Sequence, residues 1–246
     1  YNLEIFDAYY SEIHSGSIIA KVCKKYSILN KKTSRLKKTI KKDMRYNLQE
    51  IIKFSKRVKA KRKNKVATFM PKPIFGDNAS AMHTHQSLWN ENRNVMYDKD
   101  DDVAQMSQTG RYYVGGILSH ASALCAISNP TTNSYKRLVP GFEAPVNVCW
   151  GLANRSTAIR IPMYNRNQEK SKRIEYRVPD PTANIYLLEA ALLLAGLDGI
   201  KNKIDPGKSF DDDLYALSEN DVKKLPTVCG SLREAMENLD KDRKFL

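Results

Sequence analysis

His83, His85 and Ser87 occupy alternate positions in Met82-His-Thr-His-Gln-Ser87, and Arg173, Glu175 and Arg177 do the same in Arg173-Ile-Glu-Tyr-Arg177. In an extended segment the pleat turns each set to one face. Two imidazoles and a hydroxyl, facing the backbone of the small-residue turn from Asn78 to Ala81, have the pattern of a ligand or metal site. Arg137, Arg155 and Arg160 add guanidiniums beside turns or on strand candidates in a region otherwise sparing in charge. Guanidiniums converging with a carboxylate and a histidine suit phosphate and carboxylate recognition, because each fork binds two oxygens and keeps its charge. Alternating charges on an exposed strand could instead form surface ion pairs worth about 0–1 kcal/mol. The density of arginines weighs against that reading.

These residues need a scaffold. Val66 to Pro71 reads as a short apolar strand, followed by the Lys72–Ser87 stretch, and the polar, acidic run from Asn90 to Asp102 reads as a loop. Asp102 to Ser128 carries Val103, Met106, Tyr113, Val114, Ile117, Leu118, Ala121, Leu124 and Cys125 at three-and-four spacing, which predicts a buried helix. Gly110, Gly115 and Gly116 fall where close packing wants no side chain, and His120 reads as a core or surface histidine rather than a ligand. Asn129 to Gly141 has the composition of a long ordered loop. Strand candidates follow at Glu143–Trp150, Ser156–Pro162 and Arg173–Val178, the last apolar on its second face through Ile174, Tyr176 and Val178. A strongly apolar helix is predicted from Asn184 to about Leu197, and Ser231-Leu-Arg-Glu234 fits a capping box opening a last short helix.

The 246 residues, 41% hydrophobic, could form one large domain or two small ones. No apolar run approaches the ~18 residues of a membrane span and no signal-peptide pattern opens the chain, so a cytoplasmic protein with no membrane partner is expected. Cys23, Cys125, Cys149 and Cys229 lack C-x-x-C spacing and are expected to be free thiols. Residues 1–65 hold 19 of the 41 Lys and Arg but 5 of the 27 Asp and Glu, and so carry the whole net charge of +14. In that segment Leu36, Ile40, Met44, Leu48, Ile51 and Ile52 recur at roughly helical spacing. It reads as a solvated charged helix or partly disordered extension, or as a basic amphipathic helix for an acidic partner. Nucleic acid is not expected, since aromatic side chains are not interleaved with the cations.

Five blocks together resemble glutamine synthetase of the bacterial and archaeal class (type I): Lys72-Pro73 through His83-Thr-His-Gln-Ser87, Asn129 through Pro145, Asn154-Arg-Ser-Thr-Ala-Ile-Arg160, Arg173 through Pro181, and Ala195 through Lys203. The resemblance covers about residues 65–246 and divides the chain into a basic segment, 1–64, and a catalytic domain, 65–246, incomplete at both ends. It implies an α+β fold, with a mainly antiparallel curved sheet as the active-site wall, flanked by helices. It also implies ATP-dependent ligation of ammonia to glutamate through γ-glutamyl phosphate, with Mg²⁺ or Mn²⁺, in a homo-oligomer of stacked hexameric rings. By the same resemblance His83 and Glu175 are metal ligands, and Asn78, Ala79, Arg137 and Arg177 hold glutamate. Arg155 and Arg160 stabilise the transferring phosphoryl group, although, five apart, they cannot share a regular strand face without a bulge or turn. His85, Gln86, Ser87, Lys170 and Arg173 contact ATP. Glu143 is similar to the flap glutamate that shields the intermediate and helps deprotonate ammonium, and Tyr215 lies near a position adenylylated in some relatives.

The family's Gly-Asp-Asn-Gly-Ser-Gly turn reads Gly-Asp-Asn-Ala79-Ser-Ala81 here, so any positive φ at those positions would carry a small cost. Residues 1–64 show no Glu-x-Glu or Gly-Gln-x-Glu pattern of the family's upstream metal-binding strands, as Glu4, Glu12 and Glu50 stand isolated. The segment is either a genuine replacement or text joined by a shifted frame or truncated gene model, and in both cases this chain alone is expected to be weak or inactive. Three other readings stay open: a γ-glutamyl-amine ligase of the same family, a non-catalytic core with a basic nucleic-acid-binding arm, and, disfavoured by the motif blocks, a guanidino kinase.

Overall fold

The structure is a computed structural model describing residues 48–140, 144–163, 168–211 and 225–246, with side chains from Lys53 onward. Leu36, Ile40 and Met44 of the expected basic helix, together with Glu143 and Tyr215, lie outside the described residues. The chain divides into two units, 1–68 and 69–246. The described part of the first is one helix, α1 (Leu48–Lys61), within the basic run and with Lys59 and Lys61 in its last turn, where cations suit the helix dipole. It ends as Asn64 adopts φ 54° and the Lys65 N–H returns to the Ala60 carbonyl.

The second unit is an α+β fold. A four-stranded sheet of order β1-β6-β5-β4 is built from β1 (Thr84–Gln86), β4 (Asn147–Leu152), β5 (Thr157–Ile161) and β6 (Ile174–Tyr176). β1 pairs with β6 and β6 with β5 in antiparallel fashion, while β5 and β4 run parallel. Residues 153–156 alone join that parallel pair, a run short for such neighbours. Ala153 at φ 57° reverses the chain, and Asn154 fixes the run by accepting from Ser156 N and Oγ and donating to the Phe210 carbonyl. One face of the sheet is dry: Ile159, Ile161, Ile174 and Tyr176 are fully buried with Val114, Ile117, Leu188 and Leu192 of the helices behind.

Several expected elements change form. Val66–Pro71 is not a strand, and Val66 is 95% exposed: β-propensity without a paired neighbour does not make a strand. The Asn90–Asp102 loop is preceded and entered by a short hairpin, β2 (Trp89–Asn90) with β3 (Arg93–Asn94). The helix expected over 102–128 is two, α2 (Gln108–Ser119), capped by Ser107, and α3 (Ala121–Ser128). They break at His120, whose ring nitrogens meet Asp198 at 3.1 Å and Asp242 at 2.6 Å while the ring stacks on Phe245. The 129–141 loop contains a single turn, α4 (Ser134–Arg137). α5 (Ile185–Asn202) starts at the Asn184 cap and runs past Leu197 to a left-handed Lys203. α6 (Leu232–Lys241) is capped by Ser231, with Glu234 reaching back to the Gly230 N–H. Cys125, Cys149 and Cys229 are free and buried.

The sheet is backed by α2 crossing α5 at backbone distance. A Cβ on Gly116 would lie 2.7 Å from Gly199 Cα, and one on Gly199 would collide with the Tyr112 carbonyl and the Gly116 backbone. Alanine ordinarily favours a helix interior over glycine by about 1 kcal/mol. Here Gly199→Ala is predicted to destabilise by about 1–3 kcal/mol through overpacking. Urea unfolding at neutral pH checks this through the sign of the midpoint shift.

Candidate functional site

β6 holds the middle of the site because it pairs on both sides. His85 stands opposite Glu175 across β1 and β6, and Glu175 stands opposite Arg160 across β6 and β5. The three side chains therefore share the sheet face opposite the buried isoleucines. Glu175 Oε1 lies 2.9 Å from His83 Nδ1 and 2.8 Å from Arg177 Nη1, and Oε2 lies 2.6 Å from Arg160 Nη1. Arg173 Nε donates to His85 Nδ1 at 3.2 Å.

Burial opposes ionisation of Glu175, but the hydrogen bond from His83 and the charges of Arg177 and Arg160 outweigh it and hold the carboxyl well below the usual range. Burial lowers His83, against the pull of Glu175 and with the help of Arg177 and Arg137. At neutral pH His83 is thus a neutral imidazole donating Nδ1–H to Glu175, which leaves the Nε2 lone pair for a ligand. An ionised carboxylate beside a neutral imidazole is a donor set that fits a divalent cation. Among the described residues, no group of three His, Cys, Asp or Glu side chains could hold an ion, so His83 and Glu175 by themselves do not complete a cation site.

The other expected residues fall around this centre in different ways. Arg160 spends one nitrogen on Glu175, and its Nε is buried without a partner among the described residues. Arg155 lies in the 153–156 run, so no bulge in β5 is needed; its side chain is exposed and its carbonyl accepts from Arg177 Nε at 3.2 Å. Arg137 is buried, with Nη1 on the carbonyls of Val178 and Pro179 and Nη2 on that of Arg177. Burial pulls it down to about 10, so it stays charged while clamping the end of β6. Lys170 is exposed on a 3₁₀ turn, Glu169–Ser171.

Asn78 is exposed and Ala79 half-buried in a turn that Lys72 fixes by donating Nζ to the Asp77 carbonyl. Neither Ala79 nor Ala81 takes a positive φ, so replacing glycine there costs no backbone strain; Gly76 supplies the φ of 74°. Ser87 accepts from Trp89 Nε1. The Gln86 side chain points away from the His85 face, to Tyr113 and Glu189.

Two supports were not legible as such. Asn129 Nδ2 donates to the Val178 carbonyl and to Asp180 Oδ2, each at 3.0 Å, in a buried cluster that fixes the end of β6. Their signal was the Asn129-Pro130 and Pro179-Asp180-Pro181 punctuation. Asn133 exchanges two hydrogen bonds with the Lys72 backbone, and nothing in its spacing pointed there.

Removing the shared carboxylate leaves Arg160 and Arg177 unneutralised on a largely buried face. Glu175→Gln is predicted to cost about 3–5 kcal/mol at neutral pH, the range for breaking a buried charge pair. Because the folded carboxyl titrates below its unfolded value of about 4.3, the native advantage is present above that pH and shrinks as acid protonates the folded group. Urea stability of both proteins between neutral and acid pH measures it; a pH-independent gap would contradict the assignment.

The profile of the family described as glutamine synthetase, catalytic domain, matches residues 43–246. A glutamine synthetase of Rhizobium meliloti is 59% identical over 182 residues, covering 74% of this chain and 38% of the relative. One of Neisseria gonorrhoeae is 47% identical over 240 residues, 98% of this chain and 47% of the relative, so similarity reaches into the basic segment upstream of Lys65. The cryo-EM structure of Plasmodium falciparum glutamine synthetase superposes with a TM-score of 0.72 at 32% identity, over 80% of this chain and 46% of that one. The chain spans less than half the length of these relatives. With the profile matched over most of its length and the fold shared with a solved glutamine synthetase, the chain belongs to the glutamine synthetase catalytic-domain family.

Proposed function

We propose that the protein ligates ammonia to the γ-carboxylate of glutamate at the expense of ATP, as a glutamate–ammonia ligase. The observation that carries this reading is the Glu175 carboxylate shared by His83, Arg160 and Arg177 on one sheet face. Phosphoryl transfer between two anions is mainly a matter of neutralising and aligning charge, which this cluster is built to do.

In the first step a γ-carboxylate oxygen of glutamate bonds to the terminal phosphorus of ATP, and the bond to the bridging oxygen breaks to release ADP. In the second, ammonia bonds to the acyl carbon of γ-glutamyl phosphate and inorganic phosphate leaves. Arg160, with its unpartnered buried Nε, and Arg155 take the transferring phosphoryl group. Arg177, Asn78 and the Ala79 backbone hold glutamate, and Arg137 serves this subsite by clamping the Arg177–Pro179 backbone. His85, Ser87, Lys170 and Arg173 face the nucleotide, with Gln86 contributing through its backbone. Glu143 takes the proton released from ammonium. Mg²⁺ or Mn²⁺, held by His83 and Glu175 with donors from outside the described residues, would neutralise charge between the nucleotide phosphates.

The protein works as a homo-oligomer of stacked hexameric rings in the cytoplasm. Among the described residues, no helix is long and apolar enough to cross a membrane.

The test is ADP release by the purified chain, with and without glutamate and ammonium. Slow continuous release requiring both is expected, because glutamate without ammonium supports no more than a single turnover. Arg160→Ala should lower kcat by about a hundredfold or more, as loss of a transition-state donor does, with a smaller effect on the KM for glutamate. Release independent of glutamate, or preference for a polyamine over ammonia, would overturn the assignment, the second result in favour of a γ-glutamyl-amine ligase.

A further inference from the structure

β1 presents His85 to the site, so Gln86 points the opposite way, between the helices behind the sheet. There Gln86 Nε2 donates to Glu189 Oε2 at 3.4 Å, and Tyr113 Oη donates to Gln86 Oε1 at 3.4 Å. Glu189 lies in the second turn of α5 and is the only charged residue between Asn184 and Leu197, in a helix whose inner face is otherwise apolar. Gly196 on the same helix makes room for the Tyr113 ring, which a Cβ at that position would strike. The groups facing Glu189 are Gln86 from β1 and Tyr113 from α2.

Glu189 Oε1 is buried and has no partner among the described residues. An ionised carboxylate would leave a charged oxygen there without solvation, at the cost of an unsatisfied buried acceptor. The neutral acid meets the same partners at lower cost. As the neutral acid, Glu189 still accepts from Gln86 Nε2 through its carbonyl oxygen, Tyr113 still donates to Gln86 Oε1, and the unpartnered oxygen is an uncharged hydroxyl instead of a charged one. Burial also raises the Glu189 carboxyl above its ordinary value, against the smaller pull of Gln86.

We propose that Glu189 is a positioning residue that acts through the Gln86 carboxamide to lock the back of β1 to α2 and α5, thereby fixing His85 on the front. Its link to function rests on the reading of β1 as the nucleotide-facing strand; the lock itself does not. Such a residue touches no substrate and sets the precision of groups that do.

The test follows amide hydrogen exchange of residues 84–87 by mass spectrometry in the native protein, Glu189→Leu and Glu189→Gln. Exchange about tenfold faster is expected in the leucine variant, the effect of losing one hydrogen bond's worth of local stability. Protection of β4 and β5 should be unchanged. Glutamine, neutral and able to donate and accept, is expected to restore native protection. Native protection in the leucine variant, or loss in the glutamine variant equal to that of leucine, would overturn the proposal.

Urea stability supplies a second readout. A carboxyl raised by folding makes the native protein lose stability relative to Glu189→Gln as pH rises above about 4.3 and until the folded group has ionised. A pH-independent difference would contradict the neutral acid. Calorimetric titration with MgATP separates this from the functional reading: native protein that binds no ATP overturns the ligase assignment, while the exchange result still decides the lock. Where native protein binds, the leucine variant should bind more weakly and the glutamine variant as native.

Discussion

One carboxylate neutralises two guanidiniums and accepts from an imidazole on a sheet face with little access to water. Glu175 is 3% exposed, and removing so buried an anion from water is costly unless its oxygens are fully engaged. Both are: His83 and Arg177 meet one, Arg160 the other. The engagement depends on β6 being central, because a strand paired on both sides brings Arg160 of β5 and His83, just ahead of β1, against one residue. The strands are three to six residues long, so their alignment depends on what lies behind them and at their ends.

Behind the sheet, α2 and α5 meet through Gly116 and Gly199, bringing the two helices to a separation that admits no side chain between them. Beyond β6, Arg137, Asn129 and Asp180 bind the carbonyls and side chains of residues 177–180, so the chain leaves the strand along one path. The polar groups of the unit thus fall into two kinds. Those on the front converge on Glu175, while those at the back and the ends satisfy backbone and side-chain groups that burial would otherwise orphan.

Much of this was legible in the chain. The alternation in 83–87 and 173–177 marked the site face, because period-two spacing is a direct consequence of the pleat. The glycines at 115 and 116 marked a close helix contact. Other features depend on partners distant in sequence and left no local trace. His120 breaks a helix that its spacing continues, because two aspartates 78 and 122 residues away hold its ring. Val66–Pro71 has strand composition but no strand beside it. Arg137 looked like a ligand arginine, yet its donors go to main-chain carbonyls, which no spacing rule reveals. Gln86 sits among site residues in sequence, but the pleat that turns His85 to the site sends the Gln86 side chain to the other face.

The proposed function stands on Glu175 and His83 forming part of a cation site beside the nucleotide. Its most direct test is the proton resonance spectrum of the His83 ring during titration with Mn²⁺ and ATP. Selective broadening of the His83 signals, absent in Glu175→Gln, is the result the account predicts. Signals that stay sharp at saturating Mn²⁺ and ATP, or that broaden equally without the Glu175 carboxylate, would contradict it.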